Sequence, residues 1–262
     1  MSGAAPRRGA RSRADIPPAH LAALHEGEVP AATLAECLAV DHGRLLRRVV
    51  PSLEPAAFAA VDAAAGTGIT RRMALVADLL LAHGGVERVA ALAAHPSDTV
   101  RGWAAYMVGR APALEVAARI ARLRPFADDP HFGVREWAWL ALRPTLVAEP
   151  AHVIDVLTPW VHDPSANVRR FAVEATRPRG VWSAHVPALV RDPAPGLPLL
   201  APVRRDPSRY VQDSVANWLN DAAKSRPDWV RALCAAWQAD APTAATTRIC
   251  ARALRTIGAT GD

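Results

Sequence analysis

The chain has 262 residues and a formal net charge of +6, and about half of it is apolar, mostly Ala, Leu and Val with only 4 Phe and 2 Tyr. That composition favours helix over strand, and no window of about 18 apolar residues runs free of charge and proline, which excludes a spanning helix. Three cysteines, Cys37, Cys234 and Cys250, exclude a fully paired disulfide framework and fit a reducing compartment.

In chain order, residues 1–15 come first. Arg7, Arg8, Arg11 and Arg13 against Asp15 give this segment half of the net charge. Its Gly, Ala, Ser and Arg content predicts a disordered basic tail. No apolar run follows the arginines, so the segment does not read as a secretory signal, and a cytoplasmic, nucleoid-associated protein is expected. Residues 16–262 read as one domain of helices. These are predicted near 18–26, 31–39, 41–50, 55–64, 69–83, 85–94, 98–109, 113–124, 131–145, 150–161, 166–177, 184–191, 195–203, 209–223, 227–238 and 242–257. Pro125, Pro144, Pro150, Pro178, Pro187, Pro193 and Pro195 fall at or near predicted joints, where proline ends or starts a helix.

A pattern recurs along these helices. It reads Pro96-x-x-x-Val100-Arg101, Pro130-x-x-x-Val134-Arg135, Pro164-x-x-x-Val168-Arg169 and Pro207-x-x-x-Val211-Gln212, at intervals of 34, 34 and 43 residues. A fixed period of this size marks stacked supersecondary units. Each unit opens on a polar turn and enters a helix, in the style of a HEAT repeat. The predicted fold is an all-α solenoid of HEAT-like repeats with a concave face. The longer last interval places its excess in Arg179-Gly180-Val181-Trp182 and the proline-rich stretch after it, and such insertions map to loops on one face.

Counting each repeat helix from its Val, positions +3, +4 and +7 form one stripe. These are Val134, Trp137, Ala138 and Ala141, then Val168, Phe171, Ala172 and Ala175, then Val211, Ser214, Val215 and Trp218. They read as core. Positions +2, +5, +6 and +9 form another stripe: Glu136, Trp139, Leu140 and Arg143; Arg170, Val173, Glu174 and Arg177; Asp213, Ala216, Asn217 and Asn220, with Asp221 one residue on. Stacked repeats would bring these acids and arginines to one concave wall. Arg170, Glu174 and Arg177 equally fit surface ion pairs at helical spacing, each worth about 0.3 kcal/mol.

The third and fourth repeats carry more specific strings. Residues 167–182 run Asn-Val-Arg-Arg-Phe-Ala-Val-Glu-Ala-Thr-Arg-Pro-Arg-Gly-Val-Trp, and residues 210–224 run Tyr-Val-Gln-Asp-Ser-Val-Ala-Asn-Trp-Leu-Asn-Asp-Ala-Ala-Lys. With Val134-Arg135-Glu136, they resemble the bacterial DNA alkylation repair glycosylases of the AlkC and AlkD type, nearer AlkC. The resemblance implies a solenoid around duplex DNA and metal-free release of positively charged alkylated bases: 3-methyladenine, and by extension 7-alkylguanine or 3-methylcytosine. By position it implies active-site roles for Glu136, Glu174, Arg177, Trp182 and Asp221. The stripe itself adds Trp139.

An alkylated purine already carries positive charge and leaves without protonation, while the sugar develops positive charge of its own. Carboxylates and an aromatic face suit that transition state, and arginines suit the flanking phosphates. Glu136, Glu174, Asp221 and Trp182 are therefore the candidate catalytic residues, and Arg170, Arg177, Trp139, Arg143 and Arg179 the candidate DNA contacts. No His-Glu-x-x-His, Cys-x-x-Cys or Gly-rich phosphate loop occurs, so neither metal nor nucleotide cofactor is expected. The partner expected is double-stranded DNA containing alkylated bases, bound by a monomer, with no membrane involved. The rival reading is a non-catalytic HEAT scaffold that binds DNA or protein.

Overall fold

The computed structural model describes residues 9–180, 182–240 and 242–258. Among the described residues every regular element is helical. The helices are α1 (Pro18–Glu26), α2 (Leu34–Ala39), α3 (His42–Val49), α4 (Pro55–Ala63), α5 (Ile69–Gly84), α6 (Val89–Ala93), α7 (Asp98–Arg110) and α8 (Val116–Ala127). They continue as α9 (Phe132–Ala148), α10 (Pro150–Leu157), α11 (Ala166–Ala175), α12 (Pro187–Arg191), α13 (Leu197–Leu200), α14 (Arg209–Ala223), α15 (Pro227–Asp240) and α16 (Ala244–Ala253). Local chemistry sets many starts. Proline stands at the head of α1, α4, α10 and α12, where its missing N–H costs nothing. Side-chain oxygens of Thr33, Asp41, Ser165 and Thr243 accept from amides of the first turns of α2, α3, α11 and α16. Two prolines expected at joints lie inside helices instead, Pro125 in α8 and Pro144 in α9. Each sacrifices one ladder bond near the C-terminal end of its helix, a loss that packing of the flanking turns outweighs.

The array divides into two compact units, Met1–Ala113 with Asp129–Ala141, and Leu114–Asp128 with Leu142–Asp262. In the first, α7 packs on α5 and α6. Gly102 and Gly109 of α7 face Trp137 and the backbone of Ala141 so closely that any side chain would collide. In the second unit α14 is central, packed on α11, α15 and α16. Val134, Trp137, Ala138, Ala141, Val168, Phe171, Ala172, Ala175, Val211, Ser214, Val215 and Trp218 are all buried, as core positions should be.

Of the basic segment 1–15, residues 1–8 lie outside the described residues. Residues 9–15 are not loose. The Ala10 N–H donates to Glu36 Oε1 at 2.8 Å, Thr33 Oγ1 donates to the Ala10 carbonyl at 2.6 Å, and Arg13–Asp15 form a 3-10 turn. Glu36 is the cause: its carboxylate is fully buried and takes backbone amides of Ala10 and Ala32 as donors.

The recurring Val-Arg pair has a structural use. One terminal nitrogen of each arginine donates to two carbonyls of its own opening turn: Arg101 to His95 and Pro96, Arg135 to Asp129 and Pro130, Arg169 to Asp163 and Pro164. The remaining nitrogens of Arg101 and Arg169 reach forward to the Asp of the next turn, Asp129 at 2.9 Å and Asp206 at 2.6 Å. Asp129, Asp163 and Asp206 each accept the amide two residues on, at His131, Ser165 and Ser208. Gln212 stands in for the arginine in the fourth repeat and donates to the Asp206 carbonyl at 2.8 Å.

Candidate active site

The second unit gathers charged side chains between α11 and α14. Arg177, just past the C-terminus of α11, is the hub. Its Nη1 donates to Glu174 Oε1 at 2.7 Å, and its Nε and Nη2 reach Asp221 Oδ2 at 2.8 and 2.7 Å. Ser214 Oγ donates to Glu174 Oε2 at 2.6 Å, and Arg170 Nη2 lies 3.6 Å from the same oxygen. Lys224 Nζ donates to Asp221 Oδ1 at 3.2 Å. The Arg170 guanidinium also lies over the Tyr210 ring, 4.8 Å from its centre.

The electrostatics follow from burial. Glu174 and Asp221 are 4% and 3% exposed. Burial alone would raise the Glu174 carboxyl, but Arg170 and Arg177, with hydrogen bonds from Ser214 and Arg177, bring it below the ordinary value. Burial would lower the Arg177 guanidinium, but Glu174 and Asp221 raise it. The cluster is thus a fixed arrangement in which one planar guanidinium orients both carboxylates and Glu174 is favoured in its ionised form.

After Arg177 the chain forms a short loop closed at its base by the Val186 N–H donating to the Pro178 carbonyl at 2.9 Å. Trp182 stands on it, half exposed, with φ of 60° in the left-handed region. Arg179 is half-buried and donates through Nη2 to Ser225 Oγ at 2.7 Å.

The predicted site residues sort into three groups. Glu174, Arg170, Arg177 and Asp221 are brought together. Trp182 and Arg179 lie on the loop that follows. Glu136 and Trp139 belong to the first unit, where the Trp139 indole N–H donates to Glu136 Oε2 at 2.8 Å. Three of the residues expected to contact DNA, Arg143, Arg170 and Trp139, are only 2%, 7% and 4% exposed. Buried guanidiniums turn to internal acceptors: Arg143 donates through Nε and Nη1 to main-chain carbonyls, and Arg177 to carboxylates. The fourth stripe also splits. Asp213, Asn217 and Asn220 turn toward α16 and the residues after it, pairing with Arg248, Arg255 and the Ala253 carbonyl, while Asp221 alone faces Arg177.

Ser214, Tyr210 and Lys224 were not singled out from the sequence as site residues. Their signal was present: Ser214, Asp221 and Lys224 fall at offsets of four, eleven and fourteen residues from Tyr210, which places them on one face of α14 and its C-cap.

Fold and site together define a helical-repeat protein with a buried arginine–carboxylate cluster on consecutive repeat helices. The particular likeness is to the Pseudomonas fluorescens alkylpurine DNA glycosylase AlkC, in a structure bound to DNA containing an abasic site analog: TM-score 0.65, 26% identity, over 81% of this chain and 59% of that chain. The chain therefore spans about three fifths of the length of the AlkC chain it matches. The smu.31 protein of Streptococcus mutans UA159 shares the fold, with TM-score 0.59 and 19% identity over 70% of this chain and 90% of that chain. No family model and no curated protein matches the chain. The AlkC-type resemblance of the sequence strings is thus carried by the fold as well. Among the described residues no helix is long and apolar enough to cross a membrane.

Proposed function

We propose that this protein is a DNA glycosylase that releases cationic alkylated bases, 3-methyladenine first among them, from duplex DNA. The observation that carries the reading is Arg177 clamped between two buried carboxylates, Glu174 and Asp221, directly before a loop that exposes Trp182. The likeness to AlkC in complex with DNA supports the same substrate class.

The chemistry assigned to the residues is electrostatic. The carboxylates of Glu174 and Asp221 lower the energy of the oxocarbenium-like sugar, and their fixed orientation removes the cost of reorganising dipoles as charge develops. One of them orients the attacking water. Trp182 offers a π-face to the cationic base or sugar, and Arg179 meets a phosphate on the loop side. Arg177 acts inside the cluster, as the clamp that aims both carboxylates and helps to keep Glu174 ionised. Lys224, the chain's single lysine, is engaged by Asp221, so water rather than an amine is assigned as the nucleophile. The proposal is a monofunctional, metal-free hydrolase acting as a monomer in base excision repair.

One observation favours the rival, a DNA-binding repeat protein without catalysis: the oxygens of both carboxylates already accept from protein donors. One experiment separates the two. The protein is incubated with methylated duplex DNA, released bases are resolved by chromatography, and duplex binding is measured in parallel. Release of 3-methyladenine at a rate proportional to enzyme supports the glycosylase. Binding without release leaves the rival.

A further inference from the structure

We infer that Arg143 is a positioning residue that sets the loop carrying Trp182. Its bearing on base release rests on the glycosylase reading, but its bearing on the loop does not. Arg143 projects from α9 and is 2% exposed. Its Nη1 donates to the Ala175 carbonyl at 3.0 Å, at the last residue of α11, and its Nε donates to the Ala184 carbonyl at 2.9 Å. These acceptors stand on either side of Trp182, so a single guanidinium ties the start of the excursion to its return. The bond from Val186 to Pro178 closes the same loop from its base.

The loop needs such a fastener. Trp182 is held in the left-handed region, which a bulky side chain adopts only when surrounding contacts enforce it. Three buried polar atoms around it have no partner: Arg143 Nη2, Arg179 Nε and Ser183 Oγ. A side chain begun at Gly180 would collide with Ser183 Oγ and lie 3.4 Å from Arg143 Nη2. Glycine there is what lets the loop close over the guanidinium. Among the described residues, the loop's own sequence opposes that strain only through the Val186–Pro178 bond and the Arg179–Ser225 contact. The two carbonyl bonds from Arg143 oppose its relaxation.

The guanidinium is also perturbed by its surroundings. Burial, then repulsion from Arg177, lowers Arg143 to about 10, against the opposing pull of Asp221 and Glu174. It remains charged at neutral pH and couples the loop to the carboxylate cluster through space. Lysine retains the charge but lacks the planar fork that reaches two carbonyls at once.

The test uses the full chain with Arg143→Lys and Arg143→Met, each also made in a Trp182→Ala background. Two quantities are read: amide exchange at Val186 relative to α14, and the single-turnover rate of 3-methyladenine release. Arg143→Lys should speed exchange at Val186 while α14 stays protected. It should also slow base release about tenfold, the scale of one lost charged hydrogen bond. In the Trp182→Ala background the further loss on changing Arg143 should vanish, because the residue acts through the tryptophan. Arg143→Met should do the same more strongly, and should it fail to fold, the lysine variant carries the test. Unchanged exchange at Val186 in folded Arg143→Lys overturns the inference. Equal rate losses with and without Trp182 overturn it as well, since a general packing role would be additive. If the unaltered protein releases no base, the glycosylase reading fails while the exchange measurement still decides the loop.

Discussion

Arg177 and Asp221 meet side-on, with Nε and Nη2 of the guanidinium both directed at the same carboxylate oxygen, 2.8 and 2.7 Å away. The two residues are far apart in sequence and come from different repeats, so this contact exists only because α11 and α14 stack. It makes the integrity of the repeat array and the electrostatics of the site one property.

Removing either carboxylate charge should therefore have two separable effects. Asp221→Asn and Glu174→Gln each leave a buried guanidinium under-compensated, and each should lower unfolding free energy by about 3 kcal/mol. Both should abolish release of 3-methyladenine at temperatures where circular dichroism shows the helices intact. Urea melts and a base-release assay on the same preparations check this. A folded Glu174→Gln protein with full activity would remove the electrostatic mechanism.

Ser214→Ala is the milder probe. Ser214 Oγ donates to Glu174 Oε2 at 2.6 Å, and this bond is one of the influences holding the Glu174 carboxyl below its ordinary value. The sign is fixed: a carboxyl lower in the folded than in the unfolded chain adds stability above its unfolded value, and that stability is lost as pH falls through the folded value. Without the hydroxyl the folded value rises. The acid limb of the pH–rate profile, and the onset of acid unfolding, should both move to higher pH. Stability at neutral pH should fall by about 2 kcal/mol, the scale of a hydrogen bond to a charged group. An unmoved acid limb would mean that Glu174 ionisation does not limit the reaction.

Much of this arrangement was legible in the sequence, in a way that tracks the physics. The Pro-x-x-x-Val pattern predicted α14 at its observed bounds even though its interval is 43 residues and not 34, because caps and apolar periodicity are local. The core stripes were legible for the same reason. What periodicity cannot encode is the partner across a stacking interface. Asp213 and Asp221 both read as members of one acidic stripe, yet one pairs with Arg248 and the other with Arg177, a choice made by the rotation of α14 between α11 and α16. The repeated arginines were visible as a motif but not as a ladder, since some of their acceptors are main-chain carbonyls that carry no sequence identity and the others, Asp129 and Asp206, belong to the next turn across the stack. Pro125 and Pro144 misled because tertiary packing overrides a local breaker.

That ladder yields a stability prediction free of the site. Arg169 and Asp206 have side chains 14% and 4% exposed, and Arg169 also satisfies the Asp163 and Pro164 carbonyls. Arg169→Lys keeps the charge and loses the fork, and should cost about 2 kcal/mol. Arg124 pairs with Asp163 from a side chain that is 47% exposed, so Arg124→Ala should cost less than about 1 kcal/mol. Chemical denaturation of both variants measures the contrast, and similar costs would mean the ladder is no stronger than a surface pair.

Trp182 offers the opposite case, a residue expected to matter to function and hardly at all to stability. It is half exposed, so truncation gives up little buried surface, and its left-handed backbone is one that glycine adopts without strain. In Trp182→Gly the relief of backbone strain is offset by the greater freedom of glycine in the unfolded chain, each about 1 kcal/mol. Unfolding free energy should therefore change by less than about 1 kcal/mol. Base release should fall at least tenfold if the indole face stabilises the cationic sugar or base, since a cation–π contact shielded from water is worth about 2 kcal/mol. Calorimetry and single-turnover release on the same protein give both numbers. A large loss of stability would mark Trp182 as a structural plug, and unchanged release would remove it from the site.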